Sequence, residues 1–173
     1  MENLRHNGSG LPKIAGGVCA VVKDDSVLLS TLGSASRGTQ RKEWKVPLPA
    51  ANPRDYCFYP DADVMAFFFG PQDQLRCVHS WWQSKFRAHF QCSNDFEIEI
   101  HLKTVSGGRD HPAARCPTIH YSLRDALMGY ISTVSITSSR LMAVARPESR
   151  VLPVIIIWDW KTSQVLFVCQ LFP

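Results

Sequence analysis

The stretch Val154–Phe167, VIIIWDWKTSQVLF, sets a pattern that recurs along the chain. Four β-branched residues and Trp158 make a run of strand character that is too short to cross a membrane. Asp159 and Trp160 close the run, Lys161–Gln164 is polar, and Val165–Val168 begins a second apolar run. That order predicts a β-hairpin. The turn has no Asn-Gly or Asp-Gly pair, so a loop longer than two residues is expected. Four successive β-branched residues predict a strand covered on both faces, with Ile156 as a core position. Regular alternation places Trp158 and Trp160 on one side and Asp159 on the other.

The same order appears earlier. In Phe96–Gly107, the apolar Phe96, Ile98, Ile100 and Leu102 alternate with Glu97, Glu99, His101 and Lys103, a period-two strand. Lys103-Thr104 then stands where Lys161-Thr162 stands in the last hairpin. A short apolar strand leads into each hairpin, VMAFFF at Val64–Phe69 and LMAVA at Leu141–Ala145. A third leading strand is Val18–Val22, followed by Ser26–Leu32 across the turn Lys23-Asp24-Asp25. Glu43–Leu48 and Ile131–Ile136 add two further strands. Pro49–Asp63, with prolines at 49, 53 and 60, reads as an extended surface connection. Gly108–Ser122 reads as a loop, and Leu123–Tyr130 as a helical turn or part of a connection. These readings predict a mainly β fold, a propeller-like and open array of about three small antiparallel sheets. They place one β-rich domain at 13–173 behind a flexible lead-in at 1–12.

One segment breaks the pattern. In residues 71–95, Leu75, Val78, Trp82, Phe86 and Phe90 recur at helical spacing. The leading strands begin at 18, 64 and 141, giving intervals of 46 and 77 residues. Removing 71–95 brings the second interval close to the first, and repeats of this type run about 40–45 residues. Residues 71–95 are therefore expected to be a helical or irregular insertion, peripheral to the β core. Inserted loops often carry function.

Composition narrows the function. The net charge of +4 is dispersed, with no Lys/Arg block or basic helix face, which favours solubility over a nucleic-acid footprint. With no secretory signal and no membrane-length apolar run, the chain reads as intracellular, without a membrane partner. The six cysteines include no CxxC pair and read as reduced, structural thiols.

Three groups of residues bear on chemistry. Cys77, His79, His89 and Cys92 carry the ligand types of a tetrahedral zinc site, but an ordinary amphipathic helix fits their spacing better, so no metal or cofactor is expected. His101, His111 and His120 could supply a general base, with Asp110 beside His111 to orient it. No nucleophile or phosphate-loop motif accompanies them, so surface and loop histidines are expected and an enzyme is not. Trp81 and Trp82 among Arg76, Lys85 and Arg87 fit a solvated helix face better than a nucleic-acid surface. Trp81, Trp82, Trp158 and Trp160 are the candidate anchors for a protein partner, although a pair such as Trp158 and Trp160 is more often core packing. Val165–Phe172 is apolar and uncharged, so self-association through this C-terminal edge is expected.

The segments IEIHLKTVSGGRDHPAA, ITSSRLMAVA and VIIIWDWKTSQVLF together resemble the β-rich C-terminal region of fungal F-box proteins. The resemblance covers most of 15–168 outside the insertion. It implies a degenerate WD-repeat or propeller-like module that presents target proteins within the ubiquitin pathway. The family's F-box is a leucine-rich helical segment led by Leu-Pro, whereas here Leu11-Pro12 leads into a glycine-bearing strand. Docking to a ligase adaptor is therefore not carried over.

Overall fold

Each apolar leading strand becomes the second strand of a four-stranded antiparallel sheet. The structure is a computed structural model that describes residues 12–33, 40–50, 53–70, 96–123, 129–147 and 152–170. The first sheet contains β1 (Lys13–Ala15), β2 (Val18–Lys23), β3 (Ser26–Thr31) and β4 (Glu43–Pro47). The second contains β5 (Asp55–Tyr59), β6 (Val64–Phe69), β7 (Phe96–Thr104) and β8 (Thr118–Leu123). The third contains β9 (Gly129–Ile136), β10 (Arg140–Pro147), β11 (Val154–Asp159) and β12 (Gln164–Gln170). In every sheet the strands lie side by side in chain order. The result is mainly β and propeller-like, with no sheet closed into a barrel.

Local chemistry explains the meander. Gly16 and Gly17, at φ 52° and 72°, supply the two left-handed residues of the tight turn between β1 and β2. Asp24, at φ 55°, turns β2 into β3. Asp159 pairs with Gln164 across the last hairpin, so its loop is longer than two residues, as its composition predicts. The Asp159 carboxylate organises that loop by accepting the N–H groups of Lys161 and Thr162 at 3.0 and 3.2 Å.

The second sheet sits between the other two. Met65, Phe67 and Phe69 of β6 pack with Val18, Ala20, Val27 and Leu29 of the first sheet. Val64, Ala66 and Phe68 pack with Leu141, Ala143, Ile156 and Trp158 of the third. All six residues of β6 are buried, which accounts for its unbroken apolar run. The expectation of two covered faces fits β6 and needs correction for β11. There Val154, Ile156 and Trp158 are buried, while Ile155 and Ile157 are half-buried on the outward face.

Two segments read as connections are strands. Asp55–Tyr59 is β5, with Tyr56, Cys57 and Phe58 all buried. Its flanking prolines bound the strand rather than break it, since Pro60 opens a short 3-10 turn. Thr118–Leu123 is β8, which pairs with β7 from His101↔Thr118 to Phe96↔Leu123. Lys13–Leu32 also holds three strands where two are expected. The lead-in 1–11, the helical spacing in 71–95 and residues 124–128 lie outside the described residues. The strands flanking 71–95 pair directly, Phe69 opposite Glu99, so this segment links two neighbours within one sheet.

The loop between β7 and β8 fastens the second sheet to both others. Toward the first sheet, the Val105 carbonyl accepts the Trp44 indole N–H at 2.7 Å. Toward the third, Arg115 N–H donates to the Lys161 carbonyl at 2.7 Å. The Ser163 hydroxyl lies 3.3 Å from both the N–H and the carbonyl oxygen of Cys116.

Candidate functional site

The sequence-derived candidates separate in the structure. Trp158 and Trp160 are 0% and 1% exposed, so neither ring is available to a partner. This corrects their reading as partner anchors: both side chains point into the core between the second and third sheets. Trp160 donates its indole N–H to the Thr137 carbonyl at 3.1 Å. The Trp158 indole N–H is buried without a hydrogen-bond acceptor, and Tyr121 stands perpendicular to that ring. Trp81, Trp82, Cys77, His79, His89 and Cys92 lie outside the described residues.

The three histidines do not assemble a catalytic group. His111 is buried at 7% exposure rather than displayed on a loop. Its Nε2 is 3.1 Å from the Ala62 carbonyl, and its Nδ1 accepts the Ala113 N–H at 3.2 Å, which together assign the proton to Nε2. Asp110 does not orient it, because that carboxylate accepts from Lys103 Nζ at 2.6 Å. His101 lies half-buried on its strand, 2.6 Å from Glu99 and edge-on to Phe69. His120 is exposed opposite Glu99.

An open cleft of about 400 Å³ lies beside this strand pair, lined by Phe69, Glu97, Glu99, His120, Tyr121 and Ser122. It offers carboxylates and an imidazole, and beside it Glu99 contacts His101. Among the described residues no group of three or more His, Cys, Asp or Glu is placed to hold a metal ion. Burial pushes the Cys57 thiol well above its ordinary pKa, opposed by Lys13 and reinforced by Asp55, so it stays protonated and inert. Burial likewise raises the neighbouring Tyr56 phenol, which is 3.0 Å from the Ala20 carbonyl and donates to it.

The third sheet carries the most distinctive surface. Four consecutive apolar side chains of β12, Val165, Leu166, Phe167 and Val168, are 41%, 47%, 50% and 44% exposed. The fourth strands of the other two sheets are built differently. On β4, Glu43, Lys45 and Pro47 are exposed, and on β8, His120 and Ser122. Charge, proline and polar side chains are the usual protection of a sheet edge. β12, QVLFVCQ, has no charge and no proline. Among the described residues, only β11 pairs with it.

Behind that edge, register aligns two apolar rows on the outward face. One row runs Met142, Ile157, Phe167, and the other Val144, Ile155, Cys169. The strands themselves are legible from their apolar composition, but which of their residues face outward depends on which face the second sheet covers. Among the described residues, no helix is long and apolar enough to cross a membrane. In comparisons with known proteins, no family model matches this chain and no curated protein matches its sequence.

Proposed function

We propose that this chain is a protein-interaction module, comparable in role to the target-recognition region that its sequence resembles in F-box proteins. The observation that carries the reading is the pair of apolar rows on the outward face of the third sheet, continuous with exposed Phe167. Contiguous apolar surface, here half-buried along the rows and exposed at Phe167, marks association sites in soluble proteins. The target would lie flat against Met142, Val144, Ile155 and Ile157. The ubiquitin-ligase docking function of that family forms no part of the proposal.

The test is affinity capture with the full chain, the partner then being purified and its binding measured directly. The double substitution Val144→Thr/Ile157→Thr makes both rows polar while keeping β-branched side chains suited to strands. Proteins held by the wild type should be lost with this variant and kept by Lys45→Glu, which alters the first sheet. Equal capture by all three chains, with circular dichroism unchanged, would remove the outward face as the interaction surface.

A further inference from the structure

The edge of β12 is a separate feature from the face beside it, and its sequence identifies an occupant. Read outward from Phe167, QVLFVCQ is nearly its own reverse: Leu166 mirrors Val168, Val165 mirrors Cys169, and Gln164 mirrors Gln170. An antiparallel neighbour with the same sequence, centred on Phe167, sets Phe167 against Phe167 and Leu166 against Val168, up to the β-bulge where the register against β11 passes from Phe167 to Val165. Cross-strand pairs are the unit of sheet stabilisation, and each of these central pairs sets apolar against apolar.

We propose that the β12 edge pairs with β12 of a second copy of this chain, antiparallel and two-fold about Phe167. The pairing joins the two third sheets into one eight-stranded sheet. It satisfies the outer main-chain N–H and C=O groups around Phe167 on both edges and draws the exposed Val165–Val168 segments together. With no charge on the strand, the two-fold arrangement brings no like charges into opposition within it. An isologous contact consumes the edge on both copies and closes at two, so it yields a dimer rather than a fibre. The contact is small: stable interfaces bury about 1,200–2,000 Å², and one strand pair buries less, so the dimer is expected to be reversible and concentration-dependent. The inference goes beyond the target-binding reading, which concerns the outward face.

Two measurements on the full chain test it. Sedimentation velocity should show the wild type passing from monomer to dimer as its concentration rises through the micromolar range. Val168→Lys sets a lysine against Leu166 of the other copy, twice per interface, and should weaken dimerisation about tenfold or more. Val168 is 44% exposed, so this variant should keep the wild-type circular dichroism spectrum. Phe167→Cys sets a new thiol against its own copy on the two-fold axis. Mild oxidation should give a covalent dimer whose linking peptide, by mass spectrometry, joins position 167 to position 167, and Phe167→Ser should give none. A wild type monomeric throughout, a dimer indifferent to Val168→Lys, or a link mapped to another cysteine would each overturn the proposal. Loss of dimer in Val168→Lys with target capture retained leaves the face reading standing apart from this one. Loss of capture in Val144→Thr/Ile157→Thr with the dimer intact separates them the other way.

Discussion

The imidazole of His111 meets the indole of Trp160 edge to face, with ring centroids 4.8 Å apart and planes at 82°. The histidine belongs to the loop of the second sheet and the tryptophan to the last hairpin, so the contact spans two sheets. Its ring is also fixed by the Ala62 carbonyl and the Ala113 N–H. His111→Ala removes the aromatic pair and leaves those backbone groups without their partner. Destabilisation of about 2–3 kcal/mol is expected in urea unfolding.

Trp158 and Trp160 are two residues apart and equally buried, yet they differ in one hydrogen bond. Trp160→Phe leaves the Thr137 carbonyl without its donor, whereas Trp158→Phe removes an N–H that has no acceptor. Both lose similar ring volume. Trp160→Phe should therefore cost about 1 kcal/mol more than Trp158→Phe, a difference measurable by paired denaturant titrations.

Gly108 sits at φ +67°, and a Cβ there would lie 2.7 Å from Cδ of Pro47. Gly108→Ala meets both a left-handed backbone and a ring on β4 that must move. A loss of about 2 kcal/mol or more is expected. Pro47→Ala in the same chain removes the clashing ring and should recover part of that loss, so a double-mutant cycle reads the coupling between the first and second sheets.

Ile156 is fully buried in the middle of β11, between Ala143 and Val168 in register. Ile156→Ala should destabilise by roughly 2–5 kcal/mol, whereas Ile155→Ala, on the half-buried outward face, should cost less than half as much. Equal losses at the two positions would mean that both faces of β11 are covered.

Asp159 sets an acid limit. A desolvation cost raises its pKa, but the N–H groups of Thr162 and Lys161 and the guanidinium of Arg140 outweigh it and hold the carboxyl below its usual value. The unfolded value is about 3.9, so the stabilisation is complete above that pH and is lost as pH falls through the lower folded value. Asp159→Asn should be less stable than wild type at neutral pH, and the gap should narrow as pH drops below about 4. Thermal midpoints measured across that range check the sign.

Much of the architecture was legible because period-two alternation reports a strand with one covered face, as in Phe96–Thr104. VMAFFF and LMAVA were found from composition alone, and both are central strands. β5 was hidden because Pro53 and Pro60 closely flank its five residues, and a proline outside a strand looks the same in sequence as one that breaks it. β8 was hidden because Thr118, His120 and Ser122 dilute Ile119, Tyr121 and Leu123 within a longer polar stretch. The place of His111 was not readable, since its burial depends on Ala62 and Trp160, which lie 49 residues before and after it. The site was legible only in part. The uncharged character of Val165–Val168 is plain in sequence, but its contrast with β4 and β8 needs the sheet order.

The complete enclosure of β6 has a consequence for synthesis. One of its faces is closed by residues made before it, the other by Leu141, Ile156 and Trp158, which are made later. A ribosome adding about 5–20 residues per second takes several seconds to travel from β8 to β12. Throughout that interval Val64, Ala66 and Phe68 present a greasy face with nothing to lie against it. The nascent chain is thus most vulnerable when its first two sheets already exist, and a slow stretch of translation before β11 would lengthen its dependence on chaperones.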